Sequence, residues 1–170
     1  MNIDKSRPVL VTGANGYIAS WLVKYLLADG VDGHATVRNP DDDKKVGHLK
    51  KLAEAGPGKL TLFKADLLAE GAFDEAMAGC ELVFHTASPF VIMGVKDAQK
   101  ELVDPAIKGT RNVLEAANRC DTVKRVVLTS SVVGIYGDAA DMRATQNGIF
   151  TEQHWNTTSS VEHQPYNYSK

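Results

Sequence analysis

Cysteine is scarce in this chain of 170 residues: only Cys80 and Cys120 are present, and they are not spaced as a CxxC pair. That excludes a disulfide framework and a cysteine-built zinc site, and both are expected to be buried thiols. No apolar run approaches the roughly 18 residues that a membrane span requires, so no membrane partner is expected. The amino-terminal residues lack a basic-then-apolar stretch with a cleavage site, which points to a cytoplasmic location. Neither sign of charge dominates, because 19 Lys and Arg stand against 21 Asp and Glu for a net charge of -2. Without a positive field, nucleic acid is not an expected partner, and a small neutral-pH substrate suits the chain better. Internal repeats are also absent, which excludes a solenoid. What remains is an ordinary globular composition, 44% hydrophobic and 24% charged, able to build a core without staples.

Short β-rich runs alternate with stretches of helical period, an order that favours a parallel sheet with helices on both faces. Residues 9–11 read as a first strand ended by Thr12 and Gly13. After Gly16 the apolar residues Tyr17, Ile18, Trp21, Leu22, Tyr25 and Leu26 predict a helix over 17–27 with that stripe inward, closed by Gly30. A second strand is expected over 34–38. Asp41, Asp42 and Asp43 then begin a helix that turns Val46, Leu49, Leu52 and Ala53 inward, and residues 56–58 (Gly-Pro-Gly) stop it. Further strands are read at 60–64, 82–86 and 125–129, with helices at 72–77 and from about 102 to 118. Pro105 must either start the regular part of that last helix or kink it. Residues 137–164 are polar and lack periodicity, which marks a long functional loop and, if these residues are the entire chain, the expected site of disorder together with Tyr166.

Between the first strand and helix lies Thr12-Gly13-Ala14-Asn15-Gly16-Tyr17-Ile18-Ala19, a GxxGxxA turn in the context of a nucleotide-binding βαβ unit. Gly13 permits the sharp turn, Gly16 lets the backbone approach a pyrophosphate, and small Ala19 lets the helix lie close to the sheet. Exposed N–H groups and the positive helix end then face phosphates. At the end of the second strand, where an acidic side chain would receive the ribose 2′-hydroxyl of NAD, stands Arg38. A guanidinium holds a 2′-phosphate bidentately, so NADP(H) is preferred and NAD(H) is possible, with Lys44 or Lys45 as a second cation. The alternative for Arg38 is a solvated residue beside the three aspartates. Asp66 follows the third strand and either accepts from an adenine amino group or caps the next helix. His85 is read as structural. Thr86, Ala87 and Ser88 are small enough for a cofactor to lie against their backbone.

Tyr166 and Lys170 form a YxxxK spacing, which on a helix places a phenol and an ammonium on one face, one turn apart. A cation there favours phenolate and makes the tyrosine a usable proton donor near neutrality. Ser131, just past the fifth strand, supplies a hydroxyl able to orient a substrate carbonyl, and Ser130 competes for that role. No metal-ligating cluster is read.

These segments, in order Val11 to Ala19 (VTGANGYIA), Ala35 to Arg38 (ATVR), Lys64 to Leu67 (KADL), Val83 to Pro89 (VFHTASP), Gly109 to Ala117 (GTRNVLEAA), Val127 to Ser131 (VLTSS) and Tyr166 to Lys170, run through nearly the whole chain. In that order they resemble the amino-terminal half of an extended short-chain dehydrogenase/reductase of the dihydroflavonol reductase and cinnamoyl-CoA reductase group. The family's usual third glycine is Ala19 here. The resemblance implies an α/β fold, a Rossmann-type doubly wound parallel sheet truncated before its substrate domain. Residues 1–170 would then form an incomplete NAD(P)-binding domain, lacking its last strands and inactive alone. It implies an NADPH-dependent reductase acting on the carbonyl of an aldehyde or ketone. Tyr166 protonates the carbonyl oxygen, Lys170 binds the nicotinamide ribose and tunes Tyr166, and Ser131 hydrogen-bonds the reacting oxygen. Gly13, Gly16, Tyr17 and Ile18 surround the pyrophosphate, Arg38 the 2′-phosphate, and Asp66 with Leu67 the adenine. Asn112 resembles a helix asparagine that supports the active site; the other possibility is a solvent-facing amide. Two alternatives stand beside this: an NAD-dependent sugar-nucleotide epimerase or dehydratase, against which Arg38 argues, and a noncatalytic dinucleotide-binding sensor.

Overall fold

In the computed structural model, which describes residues 4–89 and 94–170, strand β1 (Val9–Thr12) is buried along its whole length. A parallel strand covered on both faces needs a continuous apolar run, and Val9, Leu10 and Val11 supply it. Next come α1 (Tyr17–Ala28), β2 (Gly33–Val37), α2 (Asp43–Ala55), β3 (Leu60–Lys64), α3 (Asp74–Met77) and β4 (Leu82–His85). They are followed by α4 (Asp104–Arg119), β5 (Arg125–Leu128) and α5 (Pro165–Tyr168). All strand pairs are parallel, in the order β3-β2-β1-β4-β5. The order reverses between β1 and β4, which is where open α/β sheets bind ligands, at the carboxyl ends of the strands. This is the doubly wound Rossmann-type sheet expected from the sequence.

The chain divides into two compact units, Met1–Ser88 with Gly109–Thr129, and Pro89–Lys108 with Ser130–Lys170. The first holds the sheet. Because successive side chains of a strand point to opposite faces, Leu10 joins one core cluster with Phe73, Ala76, Met77, Val83, Val113 and Ala116. Val11 joins the other, with Ala35, Val37, Ala19, Val23, Leu27, Val46 and Leu49. Cys80 is fully buried within the first cluster, Cys120 half-buried beside it, and both are free thiols. The Cys80 thiol is pushed up to about 12 by burial, so it is inert.

The α1 stripe is corrected in part, since Leu22 and Leu26 pack against the core as expected. The helix has the expected length and period, but the sheet is met by Ala19, Val23 and Leu27, four residues apart, while Tyr17 is 82% and Tyr25 64% exposed. Only the phase differs from expectation. Close packing on a parallel sheet selects narrow side chains, and the large rings turn outward, where Trp21 and Tyr25 lie 6.0 Å apart and the Lys24 ammonium sits 4.5 Å from the indole. Strand β2 begins one residue before the expected position, because Gly33 pairs with Val9 and Leu60 through its main chain, which needs no side chain. Pro105 falls in the first turn of α4, directly after a π-helical turn at Gln99–Val103, so it begins the regular part of the helix.

In the second unit, the expectation of disorder over 137–164 is also corrected. Two 3₁₀ turns, Ala139–Ala144 and Gln146–Gly148, punctuate the segment, and a third, Val132–Gly134, precedes it. Side-chain hydrogen bonds then replace periodicity: Asp141 Oδ2 accepts from the Gly137 and Asp138 amides at 3.0 and 2.9 Å and from the Thr158 hydroxyl at 2.6 Å. Asn156 Nδ2 donates to the Val133 carbonyl and the Ser159 hydroxyl at 2.8 and 2.9 Å. Tyr136 and Phe150 stack with ring centroids 4.9 Å apart. Among the described residues, no helix is long and apolar enough to cross a membrane.

Candidate functional site

The glycine turn is built from both neighbouring strands. Gly13 has φ +65°, and a Cβ on it would stand 3.0 Å from the Ala87 Cα, so two backbones meet there with no room for a side chain. The Ala14 amide donates to the Thr36 carbonyl at 3.0 Å and the Gly13 amide to the Thr36 hydroxyl at 3.3 Å, which ties the turn to β2. Gly16 is the N-cap of α1 with no side chain capping the helix. Among the described residues, the Tyr17 and Ile18 amides donate to no backbone carbonyl outside the helix, and their side chains are exposed. Uncapped N–H groups at a positive helix end, beside a glycine that brings the backbone to the surface, form a cradle that fits a dinucleotide pyrophosphate.

A buried hub adjoins the turn. The Thr12 hydroxyl accepts from the Thr86 and Ala87 amides, each at 3.1 Å, and lies 2.8 Å from His85 Nδ1. The Thr86 hydroxyl donates to the Thr12 carbonyl. Both Thr12 and His85 are fully buried. Burial pushes the imidazole down to about 4, so it is neutral at physiological pH. With two amides donating to it, the Thr12 hydroxyl has its own proton to give, and His85 Nδ1 is the acceptor. His85 is thus the structural histidine expected. Thr86 and Ala87 are held by this hub, and exposed Ser88 comes directly after them.

Arg38 stands exposed immediately after β2. Among the described residues it makes no ion pair: Asp42 pairs with Lys45 at 3.5 Å and Asp43 with Lys50 at 2.6 Å. The guanidinium is therefore not neutralised by the aspartates beside it in sequence, whereas Lys45 already shares a carboxylate. Asp66 is exposed and accepts the Leu68 amide at 2.8 Å, closing an Asx turn. Leu67 is fixed from behind, since Asn112 Nδ2 donates to its carbonyl at 2.9 Å and a Cβ on Gly109 would stand 2.5 Å from its Cγ. Asn112 is only 8% exposed. It is a buried support for the Asp66-Leu67 turn and not a solvent-facing amide.

In the second unit, α5 packs against the Val132–Gly134 turn and the Gln99–Val103 turn. Ser131 caps the former, its hydroxyl accepting the Val133 amide at 3.4 Å, and Ser130 is exposed beside it. A Cβ on Gly134 would lie 3.8 Å from the Lys170 carbonyl oxygen. Lys170 Nζ sits 4.9 Å from the centroid of the Tyr166 ring and donates to the Pro89 carbonyl at 3.3 Å. Burial lowers the Lys170 pKa. The structure thus gathers the Ser131 turn, Tyr166 and Lys170. One expectation changes: α5 ends at Tyr168 with Ser169 as its cap, so Lys170 lies past the helix and not one turn along it. Among the described residues, no group of His, Cys, Asp or Glu is placed to hold a metal.

Residues 9–170 match the model of the NAD dependent epimerase/dehydratase family. The chain belongs to that family. Within it, the chain is 58% identical over 127 residues to a cinnamoyl-CoA reductase of Medicago truncatula, covering 75% of this chain and 38% of that protein. It is 46% identical over 147 residues to a putative anthocyanidin reductase of Ginkgo biloba, covering 86% of this chain and 42% of that protein. The chain therefore spans about two-fifths of the length of these relatives. Among solved structures, Gre2 of Candida albicans in complex with NADPH superposes with a TM-score of 0.78 at 34% identity, over 96% of this chain and 49% of that one. A UDP-glucose-4-epimerase of Stenotrophomonas maltophila shares the fold, with a TM-score of 0.70 at 20% identity over 96% of this chain and 45% of that one.

Proposed function

We propose that residues 1–170 are the coenzyme-binding part of an NADPH-dependent reductase that converts the carbonyl of an aldehyde or ketone to an alcohol, with Tyr166 as proton donor. The observation that carries this reading is the half-buried Lys170 ammonium held over the Tyr166 ring. Likeness to plant reductases and to an NADPH-bound structure supports it. A bound nicotinamide coenzyme supplies the hydride. Residues 13–18 hold its pyrophosphate through backbone N–H groups, Arg38 its 2′-phosphate, and Asp66 with Leu67 its adenine end, while residues 86–88 give it a backbone to lie along. Tyr166 gives its phenolic proton to the oxygen as negative charge develops there, and the Lys170 ammonium stabilises the charge left behind. The Ser131 hydroxyl donates to the same oxygen and orients it. The substrate is a small-molecule carbonyl compound.

Arg38 supplies the test. Charge-assisted hydrogen bonds to a phosphate contribute about 1.5–3 kcal/mol, so Arg38→Ala weakens NADPH binding by roughly tenfold to hundredfold and leaves NADH binding within about threefold. Fluorescence titration of both coenzymes checks this. Tighter NADH than NADPH binding by the unmodified protein would move the reading to an NAD-dependent epimerase or dehydratase.

A further inference from the structure

The backbone just before Tyr166 is strained. Gln164 has φ 57° and ψ 57°, one of two non-glycine residues with positive φ among the described residues. Such a conformation is unfavourable for an L-residue and persists only where the surroundings over-determine it. Here a single carboxylate does so. Asp138 Oδ1 accepts from Gln164 Nε2 at 2.7 Å and Asp138 Oδ2 lies 2.8 Å from His163 Nε2, so both oxygens grip consecutive residues. Gln164 in turn accepts at Oε1 from Asn167 Nδ2 and at its carbonyl from the Tyr168 amide at 3.0 Å, so it sets the first turn of α5 from both its side chain and its backbone.

Asp138 is itself anchored. Its amide donates to Asp141 Oδ2 at 2.9 Å, and that oxygen also binds the Thr158 hydroxyl. Gly137, just before it, is buried where a Cβ would stand 2.3 Å from Thr158 Oγ1 and 2.7 Å from Ser159 Oγ. A hydrogen-bonded patch of the 137–159 loop therefore presents one carboxylate to the two residues that precede Pro165 and Tyr166. As a stabilising contact the Asp138–His163 pair is weak, because the two side chains are 40% and 54% exposed. The arrangement makes better sense as a latch on geometry than as a source of stability.

We infer that Asp138 is a positioning residue for the reaction: by latching His163 and Gln164 it holds the turn that aims the Tyr166 hydroxyl. The inference rests on the reading of Tyr166 as proton donor. It assigns a role to the long polar loop without placing Asp138 in contact with substrate or coenzyme. A misplacement of about 1 Å at a proton donor costs up to a hundredfold in rate.

The test is a double-mutant cycle in the intact natural protein, with kcat, KM for the carbonyl substrate and Kd for NADPH measured for each variant. Asp138→Ala lowers kcat by about tenfold or more and leaves the NADPH Kd within about twofold, while Asp138→Asn, which keeps an oxygen for Gln164, recovers part of the loss. In a Tyr166→Phe background the same Asp138→Ala change has no further effect, because a residue acting through the phenol has nothing left to aim. An equal loss in both backgrounds, or a loss in NADPH affinity with kcat intact, overturns the inference. If Asp138→Ala does not fold, the cycle is run with Asp138→Asn, and the same two outcomes decide. Undiminished turnover in Tyr166→Phe alone would instead remove the reading on which the inference rests.

Discussion

Tyr166→Phe is expected to cut the turnover of carbonyl reduction by about 10²- to 10⁴-fold, the range that a positioned general acid contributes. The change removes one oxygen from a half-buried side chain and leaves the ring beneath the Lys170 ammonium, so packing and the cation–π contact survive. NADPH affinity is therefore expected within about twofold of the unmodified protein. Steady-state kinetics with saturating NADPH, together with a binding titration, separate the two effects. Loss of coenzyme binding alongside turnover would mean that the hydroxyl holds the coenzyme and does not serve as the acid.

Gly13→Val has the second large effect, and it acts at the coenzyme. Gly13 lies at φ +65°, a region that costs an L-residue roughly 1–2 kcal/mol and a β-branched one more. Its Cβ would stand 3.0 Å from both the Cα and the Cβ of Ala87, and the Ala87 backbone is held by Thr12, so neither side yields easily. The turn that presents the Tyr17 and Ile18 amides is displaced as a result. NADPH affinity is expected to fall at least a hundredfold, with the melting temperature lowered by several degrees; Gly13→Ala, with the same strain but no methyl branches, falls between. Binding within threefold of the unmodified protein would remove the turn from the coenzyme site.

Residues under a local chemical demand are the ones most legible in the sequence. Gly13 and Gly16 answer the need for a sharp turn and a bare backbone, and the strands answer the need for short apolar runs under two covered faces. The phase of the α1 stripe is not legible in this way, because hydrophobicity ranks Trp21 and Tyr25 above Ala19, whereas contact with a parallel sheet ranks small residues first. The Thr12 hub is hidden for a different reason. Its partners lie 73 to 75 residues further along, and nothing local distinguishes a threonine that ends a strand from one that organises two. Asn112 and Leu67, 45 residues apart, pose the same problem. The order of the 137–164 segment comes from half-buried and exposed side-chain hydrogen bonds, which leave no period to read. Its turns become visible only once Asp138, Asp141 and Asn156 are placed in space.

The central claim is hydride delivery to a carbonyl carbon, and the most direct measurement tracks the hydrogen itself. NADPH carrying deuterium at both hydrogens of nicotinamide C4 is supplied to the intact protein with an aromatic aldehyde, and the product is analysed by mass spectrometry and NMR. A reductase yields an alcohol with deuterium on the former carbonyl carbon and one coenzyme oxidised for each alcohol formed. An altered substrate without deuterium on that carbon, or no coenzyme oxidised with any aldehyde or ketone offered, would contradict the account.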